Sequence, residues 1–167
     1  MQVSALIAEI LKREGVDVLF GYPRHGILEQ AALAGIRTLI VRQERTGLHM
    51  ADALSRITRG RRMGVFCMQH GPGAESAFGG VAQAYSESVP VLVLPQGYAR
   101  ALAHVPDNFN ATLAMAHVAK HAEPLTSGAE VANVLRRAFS QLRNGRPRPV
   151  VVELPHDLLA DEVPGAL

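Results

Sequence analysis

The chain has few residues of the kinds that cross-link small proteins or bind metals. It carries one cysteine, Cys67, among 167 residues, which excludes an intrachain disulfide and any zinc site built on paired cysteines. The histidines at positions 104, 117 and 121 lack ligand spacing with a carboxylate on one helical face, so we expect no metal site. Aromatic residues make up 5% and tryptophan is absent. An aliphatic core must therefore hold the fold.

The chain also has little net charge and no long apolar run. Seventeen Lys and Arg against fifteen Asp and Glu give a net charge of +2, whereas nucleic-acid-binding domains concentrate positive charge more strongly. No apolar stretch approaches the ~18 residues of a membrane span. The segment Met1 to Ser4 lacks the basic and apolar regions of a signal peptide. We expect a cytoplasmic protein that binds neither nucleic acid nor membrane.

Hydrophobic residues make up 48% of the chain. At this length a single globular domain buries about 70% of the surface that its unfolded chain exposes, so it folds without cross-links. We predict one domain over residues 1–160. The segment 161–167 is typical of the start of an inter-domain linker.

Strand and helix patterns alternate along the chain. We predict strands at 16–20, 38–41, 65–68, 90–94, 118–125 and 149–154, and helices at 3–13, 27–33, 44–59, from 74 onward and at 131–142. Ser127 and Glu130 are spaced as a capping box for the last helix. The strands are continuous apolar runs, which indicates that both faces of the sheet are covered. The prediction is a doubly wound α/β fold, with a mainly parallel sheet of about six strands and helices on both faces.

Three loops follow predicted strands and carry unusual residues: 21–26, 42–44 and 69–73. Ligands of open α/β sheets bind outside the carboxyl ends of the strands, so these loops form the candidate site. Each loop also has a structural reading. The first loop can be a plain strand-to-helix turn. Glu44 can be a carboxylate that is stabilised by the helix dipole, and the Gly71 to Gly73 segment can be a close packing contact between loop and sheet. No phosphate-loop motif is present.

Five blocks of sequence occur in order across nearly the whole chain. They are VLFGYP (18–23), RQE with ADA (42–44 and 51–53), GPGA (71–74), AQAYSESVPV (82–91) and GRPRPVVVELP (145–155). In these blocks the chain resembles the N-terminal, pyrimidine-binding (PYR) domain of thiamine diphosphate enzymes of the acetolactate synthase, pyruvate oxidase and benzoylformate decarboxylase group.

The resemblance implies a role for Glu44. In the family, the matching glutamate hydrogen-bonds N1′ of the cofactor's aminopyrimidine and so promotes removal of the proton from thiazolium C2. An Asp would be one methylene short. The cofactor-binding set that the resemblance implies is Tyr22, Pro23, Glu44, His70, Gly71, Pro72, Gly73 and Ser76. On the substrate side it implies Arg24, His25, Phe109 and Asn110, with no metal ligand in this chain.

Several residues depart from the family pattern. Arg24 and His25 stand where the family often has two glycines, and His70 stands where Ser or Thr usually precedes Gly-Pro-Gly. Ser76 replaces a frequent Asn, and Asn110 replaces the Gln of a Phe-Gln pair on the acceptor side. These differences weaken acetolactate synthase as the specific activity. His25 and His70 can instead be proton-transfer groups, since imidazole titrates near neutrality. Alternatively, neither has a role in the reaction.

The resemblance also implies a missing part. In the family, the diphosphate and its Mg²⁺ bind a separate domain through a Gly-Asp-Gly segment, which this chain lacks. We expect part of a 2-keto-acid decarboxylase or carboligase that is inactive alone, and a homodimer through the small-residue helices that start at Glu44 and Ala74. The alternatives are a separate subunit, as in sulfopyruvate or phosphonopyruvate decarboxylases, and a non-catalytic flavodoxin-like assembly module. The sequence does not identify the keto acid or the acceptor, or whether a flavin binds elsewhere.

Overall fold

The computed structural model describes residues 1–103 and 105–164. Within them, six parallel strands form one sheet with helices on both faces, which confirms the predicted doubly wound α/β class. The strands are β1 Val18–Gly21, β2 Arg37–Ile40, β3 Gly64–Met68, β4 Val91–Gly97, β5 His121–Pro124 and β6 Val150–Pro155. The helices are α1 Val3–Arg13, α2 Leu28–Leu33, α3 Glu44–Ile57, α4 Pro72–Ser86, α5 Ala111–Met115 and α6 Val131–Arg143.

The order of the strands in the sheet is β2-β1-β3-β4-β6-β5. From β1 the chain moves outward to β2, then crosses back over β1 to reach β3 on its other side. The connections that leave β1 and β3 therefore diverge to opposite faces of the sheet. Such a reversal opens a crevice at the carboxyl ends of the two strands, which is where ligands of open α/β sheets bind.

Two aliphatic layers cover the sheet. The helices α1, α2 and α6 pack on one face, and α3, α4 and α5 pack on the other. The central strands β3, β4 and β6 are buried almost throughout, as their continuous apolar runs predict. The edge strands β2 and β5 are partly exposed, because each lacks a neighbour on one side.

The structure corrects several predicted boundaries. The helix expected from 74 begins at Pro72, because proline fits the first helical position, where no N–H partner is needed. The predicted capping box is wrong. The Ser127 side chain makes no capping hydrogen bond, and a 3₁₀ turn over Gly128–Glu130 leads into α6, so Glu130 is itself the residue at the helix start.

The predicted linker is partly in contact with the domain. Val3 donates its N–H to the Asp161 carbonyl (2.9 Å), and Val163 donates to the Met1 carbonyl (2.9 Å). Residues 165–167 lie outside the described residues, so the linker stays a prediction. In the part of the chain that the structure covers, no helix combines the length and apolarity needed to cross a bilayer.

Candidate active site

The three predicted loops meet at the carboxyl edge of the sheet. Backbone hydrogen bonds join their bases: Tyr22 N–H donates to the Cys67 carbonyl (3.0 Å), and Val41 N–H donates to the Gly21 carbonyl (3.0 Å). The strand order thus brings together segments that lie about 20 to 50 residues apart in sequence. We call the space between these loops the crevice.

Glu44 is the first residue of α3 and points into the protein. It is only 8% exposed, and among the described residues no side chain or backbone N–H donates to its carboxylate. Because no protein group occupies them, the acceptor sites of this carboxylate are available to a ligand. Its position at the start of a helix stabilises this carboxylate, because the helix dipole favours negative charge there.

Gly73, near the start of α4, leaves the space into which this carboxylate faces. A Cβ atom at Gly73 would lie 3.4 Å from Glu44 Oε1 and 2.7 Å from Gln69 Cγ. Any larger residue would therefore fill the gap beside the carboxylate. The neighbouring Pro72 is exposed at the first position of the helix, and Ser76 is half-buried one turn later.

Gly71 gives the loop before α4 its shape. Its φ of 58° lies in the left-handed region that favours glycine, and a Cβ atom there would lie 2.7 Å from the Tyr98 hydroxyl. The loop thus presses its backbone against Tyr98. The predicted cofactor residues from His70 to Gly73 lie opposite the first loop, where Tyr22 is half-buried and Pro23 is exposed.

The structure places His25 in the interior. Its Nδ1 accepts the Ile27 N–H (3.3 Å), and burial lowers its pKa to about 4, with the Leu94 backbone opposing part of the shift. Its Nε2 is also buried without a partner. A neutral, buried imidazole is not available to a substrate at neutral pH, so this geometry does not carry the predicted substrate-side role of His25.

His70 lies at the opening of the crevice, among residues that the sequence analysis missed. Its ring centroid is 4.6 Å from that of Tyr98 and 6.2 Å from that of His156. Desolvation lowers the pKa of His70, and the positive charges of His156 and Arg24 lower it further. Tyr98 and His156 directly follow β4 and β6, and this placement at strand ends is the signal that could have found them.

Phe109 and Asn110 line a separate cavity of about 540 Å³ at the carboxyl ends of β4, β5 and β6. Asn110 Oδ1 accepts the Leu113 N–H (2.8 Å) and so caps α5. The buried Glu153 also lines the cavity, and its Oε2 accepts from Thr112 N–H (2.9 Å) and from the Thr112 hydroxyl (2.5 Å). Tyr98 contributes to the cavity and contacts His70, so it separates the two spaces.

No cluster of three or more His, Cys, Asp or Glu side chains suited to a metal ion occurs among residues 1–103 and 105–164. The crevice instead combines one unpaired carboxylate, a glycine-lined gap and an aromatic wall. Such a site can accept a hydrogen bond from a flat, nitrogen-containing ring whose face lies against backbone.

Comparisons with known proteins identify relatives of the chain. The chain is 35% identical over 163 residues to the acetolactate synthase isozyme 3 large subunit of Escherichia coli (strain K12), covering 93% of this chain and 28% of that protein. It is 33% identical over 161 residues to the acetolactate synthase large subunit of Haemophilus influenzae, covering 92% and 28%. It is 31% identical over 167 residues to that of Lactococcus lactis, covering 96% and 28%. The chain thus spans little more than a quarter of these relatives.

A family comparison covers most of the chain. Residues 1–124 match the family described as "Thiamine pyrophosphate enzyme, N-terminal TPP binding domain", and this range includes every predicted site residue. The chain therefore belongs to the family of N-terminal TPP-binding domains of thiamine pyrophosphate enzymes.

Proposed function

We propose that this chain is the PYR domain of a thiamine diphosphate-dependent 2-keto-acid decarboxylase or carboligase of the acetolactate synthase type. The observation that carries the proposal is the buried Glu44 carboxylate, which has no donor among the described residues and faces the gap left by Gly73. The names of the acetolactate synthase relatives support the same reaction class.

The residues of the crevice fit the pyrimidine end of thiamine diphosphate. Glu44 provides the acceptor for a protonated ring nitrogen, and Gly73 leaves room for the ring beside it. When bound, the cofactor supplies an acidic thiazolium carbon that adds to the keto group and takes up the electrons released with carbon dioxide.

The task of Glu44 is to hold one proton between its carboxyl group and the ring nitrogen. A bound ring would exclude water from this hydrogen bond, and the interaction would then be stronger at low dielectric. The Gly71 to Gly73 backbone would hold the face of the ring, and Tyr98 packs against that backbone at Gly71. The chain thus orients the cofactor and supplies its proton acceptor.

The proposal includes parts outside this chain. Because the chain spans about 28% of its relatives, we assign the diphosphate and Mg²⁺ to a diphosphate-binding domain on the same or a partner chain. Only the pyrimidine end is then bound here, and the chain alone is inactive.

We also propose a homodimer through α3 and α4. Their small residues bring the two helices together within the domain, as where Gly80 contacts Leu48, while Met50, Ile57 and Phe78 remain exposed. Exposed apolar side chains on adjacent helices suit association with a second copy. Sedimentation velocity tests this, and a strict monomer at high concentration contradicts it.

The test of Glu44 is its replacement in the complete protein. Glu44→Gln keeps the shape of the side chain but cannot accept a proton, so we expect turnover of a 2-keto acid such as pyruvate to fall by at least about 100-fold. Glu130→Gln, exposed at the start of α6 on the other face of the sheet, is the matched control and should retain activity. Wild-type turnover in Glu44→Gln would remove this residue from the mechanism.

A further inference from the structure

The crevice carries one guanidinium group and two imidazole rings that the proposed role of Glu44 does not use. Arg24 lies in the first loop, His70 in the third, and His156 after β6. The ring centroids of His70 and His156 are 6.2 Å apart, and Arg24 lies close enough for its charge to act on His70. The Tyr98 ring packs beside His70 and adds a hydroxyl group to the cluster.

Arg24 adopts an unfavourable backbone conformation to occupy this place. Its φ is 74°, in the left-handed region that glycine enters freely and other residues enter at a cost. Strained residues of this kind cluster at functional sites, although Arg59 and Ser88 also have a positive φ in this chain. The Arg24 side chain is exposed, and its charge acts on His70.

No carboxylate neutralises the cluster. Among the described residues, Arg24, His70 and His156 form no ion pair, whereas the nearby Arg100 is paired with both Asp157 and Asp161. The Arg24 guanidinium without an acidic partner favours an anionic ligand, since charge-assisted hydrogen bonds to carboxylate or phosphoryl oxygens are strong. The two imidazole rings can donate N–H hydrogen bonds to the same anion.

We propose that Arg24, His70 and His156 form an anion subsite for a second acidic group of the substrate, a carboxylate, sulfonate or phosphonate that is retained in the product. This inference rests on the proposed function. It concerns a second acidic group because the first carboxylate of a 2-keto acid loses its charge as carbon dioxide leaves. Positive groups on that carboxylate would stabilise the ground state more than the transition state and slow the reaction. A retained acid can be held by positive charge without this penalty.

The test uses the 167-residue chain without cofactor, so its result does not depend on what Glu44 does. ¹H–¹⁵N spectra are recorded during titration with methylphosphonate, and with its neutral dimethyl ester as the matched probe. We expect saturable shifts from methylphosphonate at the amides of residues 22, 24–26, 69–71, 73, 98 and 156, and none from the ester. Shifts that do not saturate, or that the ester reproduces, would overturn the subsite.

Three variants identify the groups responsible. Arg24→Gly and His156→Gln should each weaken methylphosphonate binding by about fivefold or more, the scale expected for one partly exposed charge pair. Arg136→Gln, on the far face of the sheet in α6, should bind as the wild type does. Arg24→Gly should also melt at the same or a higher temperature, because glycine relieves the strained φ. Undiminished binding in both cluster variants would contradict the proposal.

Discussion

Gly79 and Gly80, two adjacent residues of α4, provide a test of how closely α3 and α4 pack against each other. A Cβ atom at Gly79 would meet only Arg45 Nε, at 3.9 Å, whereas one at Gly80 would lie 2.7 Å from Leu48 Cδ2 and 3.3 Å from Leu48 Cβ. Leu48 is fully buried in α3. To make room, either its side chain must repack within the core or α3 must move away from α4, and α3 carries Glu44 at its first position.

The magnitudes follow from this difference. Both Gly79→Ala and Gly80→Ala gain up to about 1 kcal/mol of helix propensity, but Gly80→Ala also overpacks the interface, which typically costs about 1–3 kcal/mol. We therefore expect Gly79→Ala to stabilise the chain, and Gly80→Ala to be about 1–3 kcal/mol less stable than Gly79→Ala.

Urea unfolding followed by circular dichroism provides the assay, with both variants measured against the wild type. For a chain of this size each kcal/mol corresponds to about 2–4 °C in Tm, so a thermal scan gives an independent value. Equal unfolding midpoints for Gly79→Ala and Gly80→Ala would refute the close contact between α3 and α4.

Two further predictions concern stability against pH and cofactor binding. His25 has a folded-state pKa of about 4 against an ordinary value of 6.5, so between these values the unfolded state binds a proton that the folded state does not. Stability should therefore fall by roughly 3 kcal/mol as pH drops through this range. His25→Asn keeps an acceptor for the Ile27 N–H and should lose this dependence; an unchanged pH profile would contradict the burial of His25. Calorimetry of the isolated chain with thiamine diphosphate and Mg²⁺ should show no tight binding, and a sub-micromolar Kd would contradict the assignment of the diphosphate site to another domain.

Local sequence patterns predicted much of the fold. The apolar stripe of α6 and the buried runs of β3, β4 and β6 are set by neighbouring residues, so periodicity is enough to find them. Glu44 was also predictable, because it directly follows a strand and opens a helix, and that placement puts it at the ligand edge of a parallel sheet. Short elements were less certain: β5 is four residues long, and its predicted range was twice that.

Features that depend on the strand order could not be predicted from local patterns. His70 meets His156 because β3, β4 and β6 are neighbours in the sheet, although the two residues are far apart in the chain. The local sequence identifies Glu153 only as a residue of a strand. Its carboxylate contacts Thr112 because the tertiary structure brings α5 to the end of β6. The burial of His25 was also not predictable from local patterns, because it follows the left-handed backbone at Arg24 and depends on how the loop packs. Its role toward a substrate stays a prediction.

The central claim is that the Glu44 carboxylate exchanges a proton with the cofactor's pyrimidine and so promotes deprotonation of the thiazolium carbon. The most direct measurement is the rate of hydrogen–deuterium exchange at that carbon in the complete, cofactor-loaded protein, followed by quenched NMR for the wild type, Glu44→Gln and Glu130→Gln. The account predicts that Glu44→Gln slows the exchange by about 100-fold or more while Glu130→Gln leaves it unchanged. Exchange at the wild-type rate in Glu44→Gln, with cofactor bound, would contradict it.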